Sequence, residues 1–231
     1  SGTNTYTGTT TVSAGNLNLN SAGTAIAGNL TVAGGTATLQ AADQIADGKN
    51  VVVTSGTLDV ASFNDTVNGV QITGGTITGT TGALTSTTAF DLQAGTVSAI
   101  LGGTAGANKT TAGTVTLSKT NTYTGATTVS AGTLTLGHAT NTLADASTVV
   151  VSGGTLDLGG NADTVAGVQQ TGGTIQNGTL TSTTAFDMQA GTASANLAGA
   201  VGLDKTTAGT TTLSGTNTYT GTTTVSAGNL N

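Results

Sequence analysis

Apolar and polar residues alternate with a period of two over short stretches of this chain, and each stretch follows a glycine. Twelve glycines mark the pattern at near-regular intervals: Gly15, Gly35, Gly56, Gly75, Gly95, Gly113, Gly132, Gly154, Gly173, Gly191, Gly209 and Gly228. The second residue after each is Leu17, Ala37, Leu58, Ile77, Val97, Val115, Leu134, Leu156, Ile175, Ala193, Thr211 and Leu230, apolar in all cases but Thr211. The third is polar every time, from Asn18 through Asp59 and Asp157 to Asn231. A strand sends successive side chains to opposite faces, whereas 3.6 residues per helical turn cannot keep this alternation in phase. Each stretch therefore predicts a short strand. Its leucines, isoleucines and valines form one core stack, and the glycines sit at coil corners, where a tight turn often needs positive φ.

Self-similarity near twenty residues is the signature of a solenoid. Two longer periods lie over it. Residues 1–18 recur identically as 214–231, and "TSTTAFDLQAGTVSAIL" at Thr85 returns as "TSTTAFDMQAGTASANL" at Thr181. The expected fold is all-β: a parallel β-helix (β-solenoid) of 11–12 coils of about 19 residues, right-handed by the usual chirality of parallel connections. Residues 1–231 read as one continuous solenoid segment of a longer polymer with a 213-residue period, with sub-repeats 4–120 and 121–216 and the start of the next at 217–231. Stacked at about 4.8 Å per coil, the long period would span about 50 Å. "QAADQIADGKN" and "GHATNTLADAS" break the alternation and read as loops or short helical turns bulging from one face.

Composition then removes most chemistry. Proline, cysteine, tryptophan, glutamate and arginine are absent, so disulfides, bidentate guanidinium contacts and paired Glu sites cannot be built. A net charge of −6 from ten Asp against four Lys disfavours nucleic acid and anionic lipid as partners. No run of eighteen apolar residues exists to insert into a membrane as a helix. The N-terminal "SGTNTYTG" lacks the basic and apolar regions of a signal peptide, so export is expected to be encoded outside this stretch.

"TVTLSKTNTYTGATTVSAGTLTLG" (115–137) and "TTLSGTNTYTGTTTVSAGNLN" (211–231) resemble the autotransporter-associated β-strand repeat of type V secreted passengers and giant bacterial surface adhesins. Residues 1–18 carry the latter part of the same motif, and "TTAFDLQAGTVSAILGG" resembles the portion that precedes it. The resemblance implies a β-helical passenger, extracellular or on the bacterial cell surface, with roles in adhesion, aggregation or matrix formation. It brings no catalytic residues.

The remaining candidates have structural readings. His138 is the sole histidine and reads as a solvated loop residue. Asp59 and Asp157 stand five coils apart, roughly 24 Å, too far for paired-carboxylate hydrolysis, which needs less than about 10 Å. Asp43 and Asp47 share a loop without a calcium-loop pattern. Asp91 and Asp187 are expected to cap a turn or accept backbone hydrogen bonds. Lys49, Lys109, Lys119 and Lys205 are too scattered to track phosphates, and Tyr6, Tyr123 and Tyr219 are expected to fill corners. Thr pairs such as Thr36/Thr38 and Thr133/Thr135 suggest an ice-binding array, but Asp, Ser, Gln and Asn interrupt it. No catalytic, cofactor or metal site is assigned. The chain is expected to be a non-enzymatic structural or adhesive filament segment, with an ice- or crystal-binding solenoid and a polysaccharide-binding or -cleaving β-helix as alternatives. Expected partners are neighbouring repeats of the same chain or identical chains end to end, together with cell-surface or matrix components.

Overall fold

The computed structural model describes residues 2–231; Ser1, the first residue of the long repeat, lies outside them. The chain winds as a parallel β-solenoid of about twelve coils. A first sheet of twelve strands runs from Thr10–Val12 to Thr223–Val225, and a second of fourteen runs from Asn16–Leu19 to Asn229–Leu230. Every strand pairing is parallel; Val32 stands on Val53, and Leu58 on Ile77. Coils are numbered here by their first-sheet strand, coil 1 at Thr10–Val12 and coil 12 at Thr223–Val225.

Local chemistry explains the walls. A stretch such as Thr133–Leu136 places Leu134 and Leu136 inward and its threonines outward. β-branched residues favour this pleated, half-buried surface. Every coil then covers its neighbours' inward side chains, and full burial of one Leu or Val is worth about 1.5–3 kcal/mol. The predicted stack from Leu58 to Ile175 is fully or almost fully buried, while Leu17 and Leu230, on the outermost coils, are only partly so. Thr211, the exception in the column, is buried and donates its hydroxyl to the Met188 carbonyl at 3.0 Å.

The stretches expected to be loops are loops, with Asp47, Gly48, Asp145 and Ala146 exposed, yet each also reaches into the core. They belong to a third wall that closes each coil into a prism. Ile45 of "QAADQIADGKN" is buried and bridged to Ile26, and Thr142 and Leu143 of "GHATNTLADAS" are buried beside Asp163. Elsewhere the same wall has regular strands: Asp65–Val67 pairs with the end of Thr76–Ser86, and Asn196–Ala198 with the end of Thr174–Ser182. Alternation does not reveal this wall because its inward positions are often polar.

The glycine alignment also needs one correction. Between coils 5 and 6 the first sheet steps from Phe90 to Ala107, while the second takes a longer step, from Thr96 to Thr116. Coils 10 and 11 repeat the slip, with Phe186 on Leu203 and Thr192 on Thr212. Relative to the glycine columns, the strand moves by two positions. A slip of two keeps each side chain on its face, so the pattern of polar and apolar residues does not register it.

Candidate functional site

The corner glycines occupy two kinds of position. Gly15, Gly75, Gly95, Gly132, Gly173, Gly191 and Gly228 have positive φ, as at Gly132 with 63°, which only glycine adopts without strain. Gly35, Gly56 and Gly154 have ordinary φ but leave no room, since a Cβ at each would lie 2.8 Å from a Val Cγ1 of the coil before. Closeness of stacked corners selects glycine there. Gly113 and Gly209 are crowded by the alanine of the preceding corner.

Both register slips carry a buried lysine. Lys109 and Lys205 point inward from the first sheet, where other coils place Val12, Val32 or Val151. Each ammonium donates to the carbonyls of its own and the next corner, Lys109 to Thr111 and Ala131, Lys205 to Thr207 and Ala227. Burial lowers the Lys109 pKa from its ordinary value. Gln170 fills the same column and donates to the carbonyls of Gly173 and Thr192 at 3.1 and 3.0 Å. The lysines serve as internal caps for corner carbonyls that the coil ladders leave open, whereas the Gly173 carbonyl also accepts the Thr192 N–H. Strand alternation in "ANK" and "LDK" was the signal that could have turned both lysines inward.

On the third wall, amides and carboxylates replace ladder partners. Asp65 Oδ2 accepts the backbone N–H groups of Gln44 and Ile45 at 2.8 and 3.0 Å, and Asp163 Oδ2 those of Thr142 and Leu143 at 2.8 and 3.1 Å. The other oxygen of each carboxyl is buried without a partner. Desolvation outweighs the two backbone hydrogen bonds and raises Asp65 to about 7 and Asp163 to about 6, with Asp43, Asp47 and Asp145 adding to the rise. Asn121 meets the same need without charge, its Oδ1 accepting from Leu101 N and its Nδ2 donating to Thr142 O.

Four of the six aromatic residues pack as pairs. Phe90 and Tyr123 have ring centroids 5.9 Å apart, Phe186 and Tyr219 6.0 Å, and each tyrosine hydroxyl bonds a threonine four residues on. Tyr6, in the first turn of the described chain, is 41% exposed. His138 is partly exposed, with Nδ1 2.6 Å from the Thr140 carbonyl oxygen. Asp59 and Asp157 accept from the backbone two residues on, Ala61 and Gly159, and stand on separate coils. Among the described residues no cluster of three or more His, Cys, Asp or Glu could hold a metal ion.

A concave feature of the outer surface occurs twice on the first sheet. Gly69 stands outward on coil 4 between Asn50 of coil 3 and Thr88 at the entry to coil 5, and its missing side chain leaves a notch of about 240 Å³. Gly167 leaves the equivalent notch, about 320 Å³, between Thr148 and Thr184. Each is flanked by a clamped carboxylate. Asp91 Oδ2 accepts from Gln71 Nε2 at 2.6 Å and Gln93 Nε2 at 2.8 Å, and Asp187 Oδ2 from Gln169 and Gln189 at 2.7 and 2.8 Å. These aspartates thus hold side-chain amides and not the expected backbone groups.

Set beside known proteins, the chain matches a family model described as the passenger-associated-transport-repeat at residues 1–19, 108–136, 130–158 and 203–231. The matches at 108–136 and 203–231 contain the inward lysines, the paired tyrosines and the corners Gly132 and Gly228. No curated protein and no solved structure matches the chain.

Proposed function

We propose, from the four segments that match the passenger-associated-transport-repeat, that the chain is a rod segment of a secreted passenger, exposed outside the cell, that spaces or joins adhesive or matrix-forming parts. The observation that carries this reading is the pair of parallel sheets running through twelve coils without interruption, the geometry of a stiff spacer. Each sheet's first and last strands pair on one side only, and such open edges are templates for further coils. The neighbours that cover them are further repeats of the same chain or identical chains end to end. A non-enzymatic role is supported by the absence of Glu and Arg. Cryo-electron microscopy of the extracellular material tests the proposal. Filaments with an axial spacing of about 4.8 Å and a longer repeat of about 50 Å are expected. Globular particles would remove it.

A second reading rests on the outward threonines of the second sheet. Because of the slip, outward threonines stack in two staggered ladders of six, Thr36–Thr57–Thr76–Thr96–Thr116–Thr135 and Thr114–Thr133–Thr155–Thr174–Thr192–Thr212. In glycine alignment the residue after each corner is Thr without a break from Thr36 to Thr210, so the slips divide one long row between the two ladders. A regular hydroxyl and methyl array on one face favours binding to ice or another crystal surface, and thermal hysteresis measured on the purified chain decides it.

A further inference from the structure

We infer that the two notches on the first sheet are twin binding sites for one neutral polysaccharide chain, and that the rod holds them in register. The lining chemistry narrows the ligand. In the first notch, Asp91 Oδ1 makes no hydrogen bond among the described residues, while Gln71 holds Oδ2 in place. Beside this oriented acceptor stand the Asn50 and Thr88 polar groups and the apolar faces of Val52 and Ala89. No cation lines either notch, so an anionic polymer meets a carboxylate and no facing cation. A metal ion finds one carboxylate with an oxygen already occupied by two amides. A peptide adding as a strand needs an open sheet edge, and the strands here have neighbours on both sides. Sugar hydroxyls donate and accept at once, and a pyranose presents C–H groups to apolar side chains, which matches an acceptor-rich notch with Val and Ala walls.

The duplication strengthens the case. From Asn50 and Thr148 onward the two copies differ at outward positions, as at Thr78 against Gln176, Asn108 against Asp204, and Lys119 against Gly215. Of the nine lining residues, eight are the same type in both notches, the exception being Asn50 against Thr148. The notches lie five coils apart on the same wall, about 24 Å along the axis, so one extended polymer can occupy both. Two weak sites on a rigid support then bind far more tightly than either. The spacing rests on the rod reading above; the chemistry of each notch does not.

Retention of the 231-residue chain on insoluble cellulose, chitin and dextran beads tests the inference. Retention on at least one is expected, falling at least about tenfold in the Asp91→Ala/Asp187→Ala double variant and by less in either single variant. Melting temperature and filament length under the microscope are measured on the same samples. A variant that keeps both while losing retention supports the notches, and loss of the filament in every sample counts against the rod alone. Gly69→Ala/Gly167→Ala, which presses a methyl against Asn50 and Thr88 in one notch and Thr184 in the other and keeps both carboxylates, should weaken retention in parallel. The inference is overturned if the parent is retained on none of the three, if the double variants are retained like the parent, or if reducing ends are released, which would make the site hydrolytic.

Discussion

The two sheet walls and the third wall are parts of the same coils, yet they are held in different ways. Between the two sheet walls, the residue after each corner glycine follows the first-sheet strand at one spacing, from Leu30 to Thr36, Thr127 to Thr133 and Phe186 to Thr192. Only the two slipped coils add a single residue, from Ala107 to Thr114 and from Leu203 to Thr210. The return through the third wall varies far more, short from Thr192 to Leu203 and much longer from Thr133 to Val149. Backbone ladders fix the first two walls, so corner length hardly changes and glycine is compulsory. Side-chain acceptors such as Asp65, Asn121 and Asp163 reach across the third wall and absorb its changing length. Where side chains substitute for the ladder, the chain is free to vary.

That contrast can be broken most directly at the core of the sheet walls. Leu156→Ala should cost about 2–5 kcal/mol, because the neighbouring coils cannot collapse into the gap without losing their own ladders. Chemical denaturation would show it as a lower midpoint. Gly132→Ala comes next, since its φ is positive and a Cβ would run into the Thr111 and Gly113 carbonyl oxygens. A loss of about 2 kcal/mol or more is expected, with the first melting seen around coils 6 and 7 by hydrogen exchange. Two residues inserted after Gly48, in the third-wall loop, should cost less than about 1 kcal/mol. The same insertion between Gln93 and Ala94 should disrupt the stack, and equal effects would erase the distinction between the walls.

The smallest effect is the most diagnostic of the third wall. With the carboxyls of Asp65 and Asp163 raised to about 7 and about 6, the folded chain holds protons that the unfolded chain releases near the ordinary value of 3.8. Their contribution to stability is therefore full below about pH 4 and is lost as pH rises through about 6 to 7. The melting temperature should rise on acidification from pH 8 to pH 5, by about 2–4 °C for each kcal/mol regained. Asp65→Asn/Asp163→Asn keeps an acceptor for the backbone N–H groups, as Asn121 does, and should flatten that dependence. A double variant with the parent's slope would assign the pH response elsewhere.

Much of this is readable in the residues. Period-two alternation marks the second-sheet strands, and the glycine intervals give the coil count. The first-sheet strands are harder to see because two of them, "ANK" and "LDK", carry an inward lysine where a hydrophobic residue is expected. Asp65 and Asp163 look like surface charges, as a buried carboxylate is told from an exposed one only by what surrounds it. Asp91 and Asp187 stand out as a matching pair, but their glutamine partners Gln71 and Gln169 lie a coil away in sequence.

The sequence by itself determined the class of fold, the number of coils and which face of each second-sheet strand is buried, because these depend on local alternation and on turn residues repeated along the chain. Tertiary structure alone decided the third wall, the Thr ladders and the twin notches. Each depends on which residue of one coil stands over which residue of the next. Parallel ladders can slip by two positions while every side chain keeps its face, so no pattern within a single coil records the register between coils.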